Sequence, residues 1–358
     1  MGHGEIMRSD RIRLCVRLDA DHAIGLGHGT RVAELLRQIK SPLDVHICGS
    51  GDPLDLLFDN DTITRHSLTQ AASEEDKCAD FLDYAQKIKA DLLLIDQPDQ
   101  TAATWASYHR SAFSVIAIDD YGGDVQADLV FNGTILENYH HYPLISGKSA
   151  ISEKSAIFCG SDYALLNPVF GAVTWQKPQE KNLLIVIGGG ARATQWALAL
   201  TGAHSPFLQP IHGKVTLIVG AAFPEMAAAR TACKKLDITL RQNIPQAQLA
   251  QLLAHHSIAL ITGGMIVYET LASGCPPIIF PQEENLIPEA TWFAEHGMAL
   301  SLGFEGGMDM KKVGNMIAAA YNFPTKSDKK KIDGKGMLRA AKEIDKFCAT
   351  IQQDHQTS

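Results

Sequence analysis

The chain has 358 residues, 46% of them hydrophobic and 20% charged, with 32 basic and 40 acidic side chains giving a net charge of −8. That length fits two domains of roughly 150 residues with ordinary hydrophobic cores, and the acidic balance excludes the basic footprint that binding to nucleic acid requires. Seven cysteines, none spaced as C-x-x-C, signal neither a zinc site nor a disulfide framework, so reduced thiols in a cytoplasmic protein are expected.

The chain starts on polar residues, MGHGEIMRSDRIR, without the apolar core of a signal peptide, and no run of about 18 apolar residues predicts a membrane span. A first strand is expected over residues 11–18. A turn over 19–26 follows, then a helix over 27–39 with apolar positions Val32, Leu35, Leu36 and Ile39. Further strands are expected at 45–48, 92–95, 115–118 and 129–131, with helical patterns near 74–87 and 101–109. Strands alternating with helices predict a parallel sheet covered on both faces. This first α/β domain is placed at residues 1–155.

Residues 156–181, with Pro168 and Pro178, read as a connector. A second α/β domain is placed at 182–325. Its first strand, 183–187, runs into Gly188-Gly189-Gly190 and a helix over 192–200. Strands at 215–219 and 238–240 follow. The stretch IALITGGMIVYETLASGCPPIIFPQEEN, residues 258–285, then reads as strand, glycine turn, helix, glycine stop and strand, a βαβ unit. A helix near 288–296 comes next. Residues 326–358 hold a basic link, KSDKKKIDGK, and a closing helix over 337–352; like charges in series read as a solvated segment. The expected fold class is α/β, two Rossmann-like domains facing a cleft.

Three stretches can carry chemistry. In GLGHGTR, residues 25–31, glycines make the turn from strand to helix permissive, and His28 and Arg31 share one helix face at i, i+3. An imidazole is a candidate general base, and an arginine fork matches phosphate or carboxylate. Gly27 belongs to the same turn. Asp19 and Asp21 upstream are candidates to orient the histidine, to bind sugar hydroxyls or to cap the turn. Gly188-Gly189-Gly190 precedes a helix N-terminus that could hold a phosphate or sugar oxygen, with Gly189 and Gly190 the expected substrate contacts. It matches neither a Walker A loop nor G-x-G-x-x-G, so no nucleotide cofactor of those kinds is indicated. In the third stretch Gly263 and Gly264 let backbone N–H groups face an anion at the helix start beside Met265. Glu269 on that helix is placed to accept ribose hydroxyls. Glu283, Glu284 and Asn285 follow the next strand, on the edge where open α/β sheets bind ligands. Asp96 and Asp119-Asp120 end strands of the first domain on its ligand edge and are candidate sugar contacts or supports. Fourteen histidines fall in no metal-binding frame, so no metal is expected.

Taken together, these stretches resemble one family. RLDADHAIGLGHGTR looks like its RxDxxxxIGxGHxxR opening, DYALLNPVF at 162–170 like its linker, LLIVIGGGARAT like the start of its second domain, ITGGMIVYETLASGCPPIIFPQEEN like its nucleotide site, and DGKGMLRAAKEI from Asp333 like its last helix. The chain is thereby identified as similar to the PseG/SpsG group, UDP-sugar hydrolases of pseudaminic acid biosynthesis and their spore-coat relatives, which share the GT-B fold of MurG-type glycosyltransferases. The resemblance covers nearly the whole chain. It implies a metal-independent removal of UDP from a diacetamido-trideoxy hexose by water, with no cofactor, His28 as general base, and Asp19, Gly27, Arg31 and Asp96 on the sugar side. The nucleotide would lie on Gly263, Gly264, Met265, Glu269, Glu284 and Asn285. Here Met265 stands where the family has serine, GGGARAT replaces GGSDP, and Asp96-Gln97-Pro98 lacks the family's tyrosine. A GT-B glycosyltransferase using the same donor, and a nucleotide-sugar binding protein without catalysis, remain alternative readings. The sugar and any protein partner stay unnamed by the sequence.

Overall fold

A computed structural model describes residues 11–19, 27–51, 53–58, 63–69, 72–98, 100–143, 155–188, 195, 197, 214–221, 223–303, 310–322 and 332–357. The chain divides into two units, one of residues 1–165 with 337–358 and one of residues 166–336.

The first unit is built on seven parallel strands: β1 (Ile12–Arg17), β2 (Leu43–Gly49), β3 (Ile63–Ser67), β4 (Leu92–Ile95), β5 (Ser114–Ile118), β6 (Leu129–Asn132) and β7 (Ala156–Cys159), in the order β3-β2-β1-β4-β5-β6-β7. Alternation sorts the side chains to two faces. Leu14 and Val16 of β1, Leu92 and Leu94 of β4, and Ile116 and Ile118 of β5 join one core with the helix Gly27–Gln38 and with Met337, Ile344 and Phe347 of the last helix. Cys15, Leu93, Ile95, Val115 and Ala117 point the other way, onto Phe81, Trp105 and Tyr108. A sheet covered on both faces explains why its strands read as unbroken apolar runs. Residues 156–159, expected in the connector, instead form β7 and pair with β6. The closing helix, Gly336–Thr357, belongs to this first unit.

The second unit repeats the plan with six parallel strands: β8 (Leu183–Ile187), β9 (Val215–Val219), β10 (Ile238–Gln242), β11 (Ile258–Ile261), β12 (Pro277–Ile279) and β13 (Leu300–Ser301), in the order β10-β9-β8-β11-β12-β13. Its core gathers Leu183, Ile185, Leu217, Ile258, Leu260 and Ile278. Both sheets therefore reverse their strand order once, between β1 and β4 and between β8 and β11. At such a switch point the crossovers on either side depart to opposite faces, which opens a crevice at the strands' carboxyl ends where ligands bind. The loops there carry the candidate residues.

Candidate active site

At the first switch point β1 leads toward His28 and β4 ends at Asp96. The helix Gly27–Gln38 presents His28 and Arg31 from its first turns, and both converge on Asp96. His28 Nδ1 lies 2.7 Å from Asp96 Oδ1. Arg31 donates from Nε to Asp96 Oδ2 at 2.7 Å and from Nη2 to Oδ1 at 2.6 Å. Its outer edge reaches Asp120, Nη1 to Oδ1 at 2.9 Å and Nη2 to Oδ2 at 3.0 Å.

Asp96 is fully buried. Burial alone would raise its pKa; the charge and hydrogen bonds of Arg31, then His28, overcome this and hold it at about 2. The carboxylates of Asp120 and Asp96 drive Arg31 well above its usual value against the desolvation that would lower it. An ionised carboxylate can only accept, so the 2.7 Å contact places a proton on His28 Nδ1. Nε2 then has no hydrogen-bond partner among the described residues, on a ring one-fifth exposed. That is the geometry of a carboxylate-oriented general base. A cavity of about 520 Å³ adjoins it, lined by His28, Arg31, Gln97, Trp105, Asp119 and Tyr121 among others.

Three expected substrate contacts, Asp96, Asp19 and Arg31, are engaged by protein partners in the structure, Asp96 in the supporting role that the sequence also allows. Asp96 is sealed beneath His28 and Arg31 and orients them. Asp19 is buried and saturated: Arg17 donates to it with both terminal nitrogens, at 2.8 and 3.1 Å, Ser50 N–H at 2.7 Å and the Gln97 amide at 3.1 Å. Burial works against its ionisation, and Arg17 and Ser50 together lower its pKa. Arg31 spends all three guanidinium nitrogens on two carboxylates, so it braces the site in place of gripping phosphate. Gly27 begins the helix, and beyond its chain neighbours and its own helix backbone no described residue lies within 4 Å of where its Cβ would stand. Asp21, Gly189 and Gly190 lie outside the described residues. Gln97 joins the site without being a candidate in the sequence. Its Oε1 accepts the Asp19 N–H at 2.8 Å, tying the exits of β1 and β4 together; its only sequence signal is its place after Asp96 at a strand end. Tyr142, which donates to Asp119 at 2.7 Å, leaves no sequence signal.

At the second switch point β11 gives way to Gly263 (φ 121°) and Gly264 (φ 73°), a left-handed pair that side-chain-bearing residues rarely adopt. Gly264 caps the helix Met265–Ala272, and no side chain closes its first turn. Such an end attracts an anion through its N–H groups and dipole. Met265 is half-buried on that turn. Leu286 packs over the pair; a Cβ on Gly263 would stand 3.3 Å from Leu286 Cδ1. This places the short turn Glu284–Leu286, with Glu284 and Asn285 exposed, beside the glycines. Glu269 is half-buried, its carboxyl makes no hydrogen bond to the described residues, and desolvation pushes it up to about 7. Among the described residues no group of three His, Cys, Asp or Glu side chains is placed to hold a metal ion. Within the same residues, no helix is long and apolar enough to cross a membrane.

Two sheets with Rossmann strand order and one switch-point crevice apiece define an α/β fold of the GT-B type. The particular likeness is to SpsG, the spore coat polysaccharide biosynthesis protein of Bacillus subtilis, which is 24% identical over 334 residues, 90% of this chain and 94% of that protein. The resemblance carried by the motifs thus extends along the chain. Among solved structures, MurG of Acinetobacter baumannii superposes with a TM-score of 0.63 at 12% identity, covering 93% of this chain and 99% of that one. UDP-GlcNAc 2-epimerase of Methanocaldococcus jannaschii, solved with UDP-GlcNAc and UDP, gives 0.56 at 11% identity and covers 93% and 99%. No family model matches the chain.

Proposed function

We propose that the protein is an enzyme of polysaccharide or nonulosonic acid biosynthesis acting on a UDP-linked sugar, and that it hydrolyses its substrate. The observation that carries this reading is the His28–Asp96 pair, 2.7 Å apart, beside a cavity, with Nε2 unpartnered among the described residues. His28 Nε2 takes a proton from water as the water oxygen bonds to the anomeric carbon. The bond from that carbon to the diphosphate oxygen breaks, and UDP leaves with its electrons. Asp96 stabilises the imidazolium that forms, and Arg31 keeps Asp96 ionised. General-base help of this kind contributes about 10²–10⁴-fold. The second unit holds the nucleotide, its diphosphate on the N-terminus of the helix Met265–Ala272 and its ribose on Glu269. The sugar is an acetamido-trideoxy hexose, as the PseG/SpsG resemblance implies, and the reaction needs no metal.

The test is UDP release from UDP-linked acetamido sugars, followed by NMR with and without candidate acceptors. Release without an acceptor is expected. Release that depends on an acceptor would make the protein a glycosyltransferase, and binding without turnover a nucleotide-sugar binding protein. In the same assay His28→Ala keeps its UDP affinity and loses at least about 100-fold in turnover; an unchanged rate would remove His28 from the mechanism.

A further inference from the structure

The cavity beside His28 contains a second carboxylate with no part in the hydrolytic step. Asp119 follows β5, and one of its oxygens is fully engaged. Oδ2 accepts the Gly122 N–H at 2.6 Å, the Tyr142 hydroxyl at 2.7 Å and the Tyr121 N–H at 3.1 Å. Asn132 fixes that hydroxyl in turn, its amide 2.7 Å from Tyr142 Oη. The loop carrying Asp119 is equally constrained. Gly122 has φ 76°, and a Cβ there would stand 2.6 Å from Tyr139 O, while Gly123 N–H donates to His141 O at 3.0 Å. Asp119 lines the cavity, and its Oδ1 accepts no hydrogen bond from the described residues. The carboxylate is therefore pre-set, with one oxygen locked to the protein and the other available to a ligand.

The charge around the cavity agrees. Asp96, Asp119, Asp120 and Asp124 line it together with Arg31, and Arg31 is consumed by Asp96 and Asp120. Among the described lining residues no cation is left to meet an anionic group. An acid sugar brought against Asp119, with Asp96, Asp120 and Asp124 lining the same cavity, meets like charge and an acceptor with nothing to accept.

We propose that Asp119 is a specificity-determining residue, whose free Oδ1 accepts a hydrogen bond from an N–H or O–H substituent of the sugar and excludes sugars carrying a carboxylate. This rests on the nucleotide-sugar reading and adds the sign of the group the cavity selects. The shared chemistry is a donor on the sugar ring, supplied by an amide, an amine or a hydroxyl.

The test exploits a near-isosteric swap. In Asp119→Asn the side-chain oxygen keeps the three contacts of Oδ2, and an NH₂ donor takes the place of the free oxygen. Binding is measured by calorimetry with UDP, UDP-N-acetylglucosamine, UDP-glucosamine, UDP-glucose and UDP-glucuronic acid. The wild type is expected to prefer the amide, amine and hydroxyl sugars over the uronate by about 10-fold or more, and the variant to lose most of that preference while its UDP affinity is unchanged. The three donor sugars rank the amide, amine and hydroxyl sources. Equal affinity of the wild type for uronate and donor sugars would overturn the proposal, as would a preference untouched by the substitution. Tyr142→Phe, which unlocks the carboxylate without changing its charge, provides a second variant if Asp119→Asn does not fold, and it should blunt the preference in the same direction. Absence of UDP binding in the wild type would instead remove the nucleotide-sugar reading, and this proposal with it.

Discussion

Asp96→Asn is the most informative perturbation of the first unit. The carboxyl is fully buried and held at about 2 against an ordinary value of 3.8. At about 1.4 kcal/mol per pKa unit, its ionisation contributes about 2.5 kcal/mol of stability at neutral pH. Asparagine keeps the shape and one acceptor but leaves Arg31 buried with Asp120 as its remaining counter-ion, so the full loss is about 3 kcal/mol, the lower end for breaking a buried pair. For a domain of this size that lowers Tm by about 6–12 °C. The sign with pH follows from the depressed pKa. The contribution is complete above the unfolded value near 3.8 and is lost as pH falls toward 2, so the gap between wild type and variant shrinks, its ionisation part to about half by about pH 3. Thermal melts of both proteins from neutral pH down to about pH 3 measure this. Equal Tm values at neutral pH, or a gap that does not narrow on acidification, would refute the assignment of Asp96 as the ionised anchor of His28 and Arg31.

Two further outcomes concern the second unit. Glu269 titrates at about 7 because of desolvation, above its unfolded value, so its neutral form favours the fold and stability is lost as pH rises from about 4.5 through 7. Glu269→Gln should therefore match the wild type at about pH 4 and gain up to about 3 kcal/mol above about pH 7, yet bind UDP more weakly; calorimetry and melts at both pH values check the two signs, and unchanged UDP affinity would misplace the ribose. Gly263→Ala places a side chain at φ 121° and 3.3 Å from Leu286, which should cost about 1–3 kcal/mol and weaken UDP binding; a stable variant with full affinity would remove the glycine turn from the nucleotide site.

The fold is legible in the sequence wherever burial on both faces writes a continuous apolar run: LLLI at Leu92–Ile95, LLIVI at Leu183–Ile187 and IALI at Ile258–Ile261. It is not legible in ITRHS, the edge strand Ile63–Ser67, whose side chains are only partly buried and so need not be apolar. The two-residue strand Leu300–Ser301 is too short to leave a pattern. In the site, spacing along one helix suffices to put His28 and Arg31 on a common face. What spacing could not supply is their partner: Asp96 lies 68 positions from His28 and Asp120 89 from Arg31. A carboxylate's role depends on who donates to it, and that is fixed by strand order. In the sequence Asp19 reads as an orienter, a sugar contact or a cap and Asp96 as a sugar contact or a support; the structure engages one with Arg17 and the other with His28 and Arg31.

The central claim is that water, deprotonated by His28, attacks the anomeric carbon. Turnover of a UDP-linked acetamido sugar in ¹⁸O-labelled water, with products read by mass spectrometry, tests it directly. The account predicts the label on the free sugar, none in UDP, and labelled sugar formed at least about 100-fold more slowly with His28→Ala. Label in the UDP phosphate, or labelled sugar formed equally well without the histidine, would contradict it.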